Sequence, residues 1–155
     1  MEDFRTAFSQ RCMDVEALHE KQRYVASMHI GGVAVECLLK AIICDDLPDN
    51  AQGKKEWYDK EKRNNPGHTV CNPGHDYGRA LRSHNDLYWF VTRKHPYVLQ
   101  WLDKVESPEC HFINMRYVGQ EPDERRYQSW YDAYQKLVGW LTTQDLRRHR
   151  EEENK

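Results

Sequence analysis

The chain has 155 residues, 23 basic against 25 acidic side chains and a formal net charge of −2. Apolar residues make up 39% and charged residues 31%, compared with roughly 45–50% and a quarter in an average globular chain. These proportions fit one domain with a thin, amphipathic, helical body better than a thick sheet layered with helices, and they exclude the strongly basic balance of a protein that lives on bulk nucleic acid.

Helical spacing opens the chain. Phe4, Phe8, Cys12, Val15 and Leu18 recur on one face from about Phe4 to Ala26. The next segment holds Val35, Leu38, Leu39, Ile42 and Ile43 on one broad stripe, with Val33, Ala34 and Cys37 beside them, which predicts the central helix of a bundle. Gly31 and Gly32 each cost about 1 kcal/mol inside a helix, so their presence predicts close crossing by a neighbouring element. Residues 45–74 are rich in Pro, Gly and Asn and read as a long loop insertion, with one short helix near Lys54–Lys62. That stretch mixes bases with Trp57 and Tyr58, which fits a solvated helix or a grip on single-stranded nucleic acid.

Helical pattern returns at His75–Leu81 and extends through Leu87, Trp89, Phe90 and Val91. After Pro96 it continues on Val98, Trp101, Leu102 and Val105. Residues 111–122 read as extended or irregular. A last helix starts near Pro122-Asp123-Glu124 and ends in Arg147–Arg150, with Tyr127, Trp130, Tyr131, Tyr134, Leu137, Val138 and Leu141 as its buried stripe. The expected fold is therefore all-α, an up-and-down bundle of four to five helices over residues 1–150, followed by a disordered tail at 151–155. The absence of a long uninterrupted apolar run and of a basic-then-apolar opening predicts no membrane span, no secretory signal and a cytoplasmic location. Five irregularly spaced cysteines fit reduced thiols.

Three strings, in order, carry a family resemblance. Asp14-Val15-Glu16-Ala17-Leu18 with Tyr24-Val25-Ala26 leads into Gly32-Val33-Ala34-Val35-Glu36-Cys37-Leu38-Leu39-Lys40-Ala41. His75-Asp76-Tyr77 with Ala80-Leu81 follows, and then Arg116-Tyr117. Over about residues 8 to 142 this resembles the HEPN (higher eukaryotes and prokaryotes nucleotide-binding) domains, whose opening pair of helices reads A-G-Y-A-V-E-x-x-L-K-A. The chain departs from that pattern at Val33, Tyr77 and Val118. The resemblance implies a HEPN-like bundle that usually forms a homodimer. It also implies work on a nucleotide or RNA, often beside a nucleotidyltransferase-like partner protein, in defence or toxin–antitoxin settings. Trp130, Tyr134 and Trp140 exceed what one thin bundle needs, and they are residue types enriched at interfaces.

The ribonuclease branch of that family carries an Arg and a His a few residues apart. The pairs Arg23/His29, Arg63/His68 and Arg79/His84 have this spacing, a number that chance alone supplies in so His- and Arg-rich a chain. Arg79 and His84 lie in a helical stretch and are the weak catalytic candidates, with His as general acid or base and Arg on the phosphate. Glu36, in an apolar run, requires a partner. Lys40 is one turn on, and His75 and Arg116 are long-range choices. Arg116, Tyr117, His75 and Glu36 form the candidate ligand site, where Arg holds phosphate, Tyr stacks on a base and Glu36 orients Arg116 or His75. His68, Cys71 and His75 have metal-ligand types at short spacing but lack a paired C-x-x-C signal. No cofactor is expected. Three readings stay open: an accessory or toxin-type domain that binds nucleotide or RNA, a metal-independent endoribonuclease, and a purely structural dimerisation bundle.

Overall fold

Asp3 starts the first helix: its carboxylate accepts the Thr6 N–H at 3.0 Å and caps α1 (Phe4–Glu20). A turn at Lys21-Gln22-Arg23 reverses the chain into α2 (Tyr24–Asp45). The protein is described here from a computed structural model, which covers residues 3–45 and 73–155. After that interval come α3 (Tyr77–Arg82), α4 (Asn85–Lys94) and α5 (Tyr97–Glu106). A 3-10 helix (Phe112–Tyr117) and the long α6 (Glu124–Glu153) complete the chain. Among the described residues every element is helical and no strand occurs. The short helix expected near Lys54–Lys62 lies outside the described residues.

Four features differ from the sequence expectation. The first two helices part at Gln22 rather than near Ala26. Gln22 takes the left-handed conformation (φ 55), while its own N–H and that of Arg23 close back onto the His19 and Leu18 carbonyls, a Schellman ending without its usual glycine. The single helix expected across 75–91 is broken at Ser83-His84. There the His84 ring, through Nδ1, accepts the Leu87 N–H and starts a new helix, which gives six α-helices among the described residues instead of four or five. The irregular stretch at 111–122 contains the 3-10 helix, capped by His111. In addition, α6 runs on to Glu153, into the expected tail, because no breaker follows Arg150.

Helix α2 is the centre of the bundle. It packs against α1 along its length and meets the 3-10 helix, α3, α5 and α6 on its other sides. Val35, Leu38, Leu39 and Ile42 are at most 2% exposed, as the stripe predicted. By length and composition α2 would also suffice to cross a membrane, but 72% of its apolar window is buried inside the bundle. Leu39→Ala should cost about 2–5 kcal/mol, read as a shift in the urea midpoint. A loss under about 0.5 kcal/mol, typical of surface positions, would contradict the placement of α2.

The glycine pair does what its cost implied. A Cβ on Gly31 would lie 2.6 Å from the Trp130 ring, and one on Gly32 would enter the van der Waals envelope of Phe112. Gly32 therefore lets the 3-10 helix seat its Phe112, itself fully buried, directly on α2. Gly32→Ala should destabilise by about 1–3 kcal/mol despite the better helix propensity of alanine. An unchanged or raised melting temperature would show that Phe112 can give way.

The aromatic excess in α6 is mostly core. Trp130 and Tyr134 are 1% and 3% exposed and stack on each other at 5.2 Å, so these two, expected at an interface, are spent inside the bundle. Only Trp140 of that set is partly exposed.

Candidate functional site

Glu36 organises the best-defined polar cluster on the α2 surface. Its Oε1 accepts from the Lys40 ammonium at 2.5 Å, one helical turn on, and its Oε2 meets His75 Nδ1 at 2.7 Å. Both Glu36 and Lys40 are largely buried, with side chains 12% and 8% exposed, while His75 is 57% exposed. Helix α2 holds Glu36 and Lys40 by simple i,i+4 spacing. His75 arrives from the turn before α3, which Asp76 caps by accepting the Arg79 N–H.

The turn carrying His75 is anchored twice. His111 Nδ1 accepts the Ile113 N–H, so its Nε2 carries the proton and donates to the His75 carbonyl at 2.9 Å. The Tyr77 hydroxyl donates to the Gly32 carbonyl, and the Tyr77 ring stacks on Phe112 with centroids 5.3 Å apart. Tyr77 is buried, and desolvation pushes its phenol well above the ordinary value. Its own N–H is capped by Glu106, whose carboxyl burial raises. His29 adds a further tie, from Nδ1 to the Phe112 carbonyl at 2.8 Å. The 3-10 helix is thus fixed at its Phe112 end to α2 and to the His75 turn.

Arg116 and Tyr117 sit at the other end of that 3-10 helix, about 8 Å along its axis at about 2 Å per residue. The Arg116 guanidinium lies 4.9 Å over the Tyr117 ring, and Tyr117 is 75% exposed. Glu36 spends both oxygens on Lys40 and His75, so of the two long-range partners named for it the structure joins His75. Chemically, the arrangement provides an exposed guanidinium beside an exposed phenol, and a carboxylate-oriented imidazole whose Nε2 edge points away from that carboxylate. Such groups can take a phosphate, stack on a base and accept or give a proton.

The remaining candidates fall elsewhere. Arg79 is exposed on α3, whereas His84 is buried and uses Nδ1 to cap α4. His68 and Cys71 lie outside the described residues, and His75 is held by Glu36. One grouping was missed at the sequence level because its members are 140 residues apart. Arg5, from α1, bonds both Asp45 and Asp145 and lies 3.1 Å from His149 Nε2. Asp45, Asp145 and His149 each bring a metal-ligating atom within 4.8 Å of the others. The Arg5 guanidinium already engages both carboxylates and offsets one of their two charges, which makes the group a clamp between α1, α2 and α6. No protein-family model, curated protein or solved structure matches the chain.

Proposed function

We propose that this chain is a HEPN-like helical domain that binds a nucleotide or RNA through Arg116 and Tyr117, with His75 and Glu36 beside them. In this reading it is a cytoplasmic accessory or toxin-type subunit that pairs with a second copy and works with a nucleotidyltransferase-like partner. The observation that carries the reading is the Arg116–Tyr117 pair: an aromatic ring 75% exposed under a guanidinium, on a helix whose other end is locked to the core. The exposed ring is free to stack on a base. Guanidinium and phenol together match phosphate and base.

A second reading, a metal-independent endoribonuclease, draws on the Glu36–His75 contact. A carboxylate on Nδ1 fixes the tautomer and leaves Nε2 to act as general base or acid. One experiment separates the readings. Purified protein is titrated with ATP, GTP and a single-stranded RNA, and the RNA is then incubated with the protein in EDTA. Saturable binding with intact RNA is the expected result. Cleavage in EDTA would favour the endoribonuclease. The absence of any binding would leave only a structural bundle.

A further inference from the structure

Carboxylates cap three of the helices, Asp3 on α1, Asp76 on α3 and Asp123 on α6. Imidazoles cap two others, His84 on α4 and His111 on the 3-10 helix. The His111 ring makes two bonds at once: Nδ1 accepts the Ile113 N–H at 3.3 Å, and Nε2 donates to the His75 carbonyl at 2.9 Å. A backbone N–H only donates and a carbonyl only accepts, so the two bonds together require the neutral ring with its proton on Nε2. A second proton can enter only at Nδ1, where it would point at the Ile113 N–H. The ring then has no acceptor left, and the cap fails.

The surroundings of His111 favour that second proton. His84 is buried, but His111 is half-buried, so water reaches it without unfolding. On α5, Glu106 interacts electrostatically with His111 and gives an imidazolium a carboxylate at hand. Asp76 adds a second acid on the turn that His111 holds. The nearby bases are matched: Lys40 by Glu36 on α2, and Arg126 of α6 by Glu109 at 2.9 Å. The other two imidazoles here keep their contacts in acid. His75 faces Glu36 through Nδ1, and His29 donates from Nδ1 to the Phe112 carbonyl, so a proton on either Nε2 leaves these bonds in place.

We infer that His111 is an acid-released latch: one proton on its ring frees the start of the 3-10 helix from the turn that carries His75. The change falls in the range where imidazole alters its charge, about pH 5 to 8. The opening is local. Phe112 stays fully buried against Tyr77 and α2, and acid tightens His75 on Glu36 while undoing its tie to the 3-10 helix. The latch joins the half of the candidate site that holds Glu36 and His75 to the half that holds Arg116 and Tyr117. Regulation of a ligand by the latch rests on the reading given under Proposed function; the latch itself does not.

Nuclear magnetic resonance of the full chain between about pH 8 and about pH 5.5, the span of imidazole titration, tests the inference. Two quantities are read: the protonation of each His111 ring nitrogen, and the exchange protection of the Ile113 amide relative to an unstructured amide at the same pH. At the upper pH, Nδ1 should be bare and Nε2 protonated. The latched state holds no proton on Nδ1 and the released state takes one, so protection weakens as pH falls, by up to about tenfold per pH unit. In His111→Asn the side-chain oxygen caps as well and does not titrate, so protection should stay constant. Helix content by circular dichroism should also stay constant in both chains. A proton on Nδ1 at the upper pH overturns the inference, and that measurement needs no variant. Protection that stays flat in the wild-type chain overturns it, as does an equal fall in His111→Asn or a loss of helix over the same range. Nucleotide affinity unchanged in Arg116→Ala at about pH 8, with the latch closed, overturns the ligand reading alone, because the Ile113 amide decides the latch.

Discussion

Above about pH 10 the fold is expected to lose stability steeply. Tyr77, Tyr127 and Tyr134 are each at most 3% exposed. Desolvation raises all three phenols, Tyr127 to about 12 and the other two well above the ordinary value. An unfolded chain ionises these groups near 10 while the folded one keeps them neutral, so the unfolded state binds fewer protons and stability falls as pH rises. Their contribution is complete below the unfolded value. It is then lost at about 1.4 kcal/mol per pH unit for each phenol until that phenol's folded value is reached. For a domain stable by about 5–15 kcal/mol, three such groups suffice to unfold it within a few pH units. Urea midpoints followed by circular dichroism from about pH 8 upward measure this. The slope should become shallower in Tyr127→Phe, and a midpoint that stays flat past pH 10 would mean that the phenols reach water.

Glu36→Ala is expected to cost about 3–5 kcal/mol, because it strands the buried Lys40 ammonium. Lys40 is held at 2.5 Å by the Glu36 carboxylate, and its ammonium lies 5.8 Å over the Phe4 ring. The double variant Glu36→Ala with Lys40→Met should recover much of the loss, since an apolar pair of similar volume carries no desolvation penalty. If the single and double variants melt alike, Lys40 reaches solvent and Glu36 is a surface residue. The same substitution releases His75, so any ligand affinity that depends on the imidazole should fall even in the stabilised double variant.

The parts legible in the sequence are those governed by local periodicity. Leu38, Leu39 and Ile42 announce a central helix by spacing alone, and the Gly31-Gly32 pair points to a close crossing because nothing else repays two glycines in a helix. The break at Gln22 and the caps at His84 and His111 were not legible, since neither glutamine in a left-handed turn nor a histidine cap belongs to the usual signals. The Arg5 clamp was hidden for a different reason: it joins α1 to residues of α2 and α6 that lie 40 and 140 positions away, and no spacing rule reaches that distance. Within the candidate site, the need of Glu36 for a partner could be read from its apolar setting. The choice between His75 and Arg116 could not, because it depends on where the 3-10 helix lands.

The central claim is that Arg116 and Tyr117 serve a ligand rather than the fold, and Arg116→Ala tests it when melting temperature and affinity for nucleotide or single-stranded RNA are measured on the same sample. With the guanidinium resting on a ring that is itself 75% exposed, the melting temperature should stay within the small range of surface substitutions, about ±0.5 kcal/mol in stability. Affinity should fall by at least about tenfold, the loss of one charge-assisted contact to phosphate. A lowered melting temperature with unchanged affinity would contradict the account and make the pair part of the scaffold.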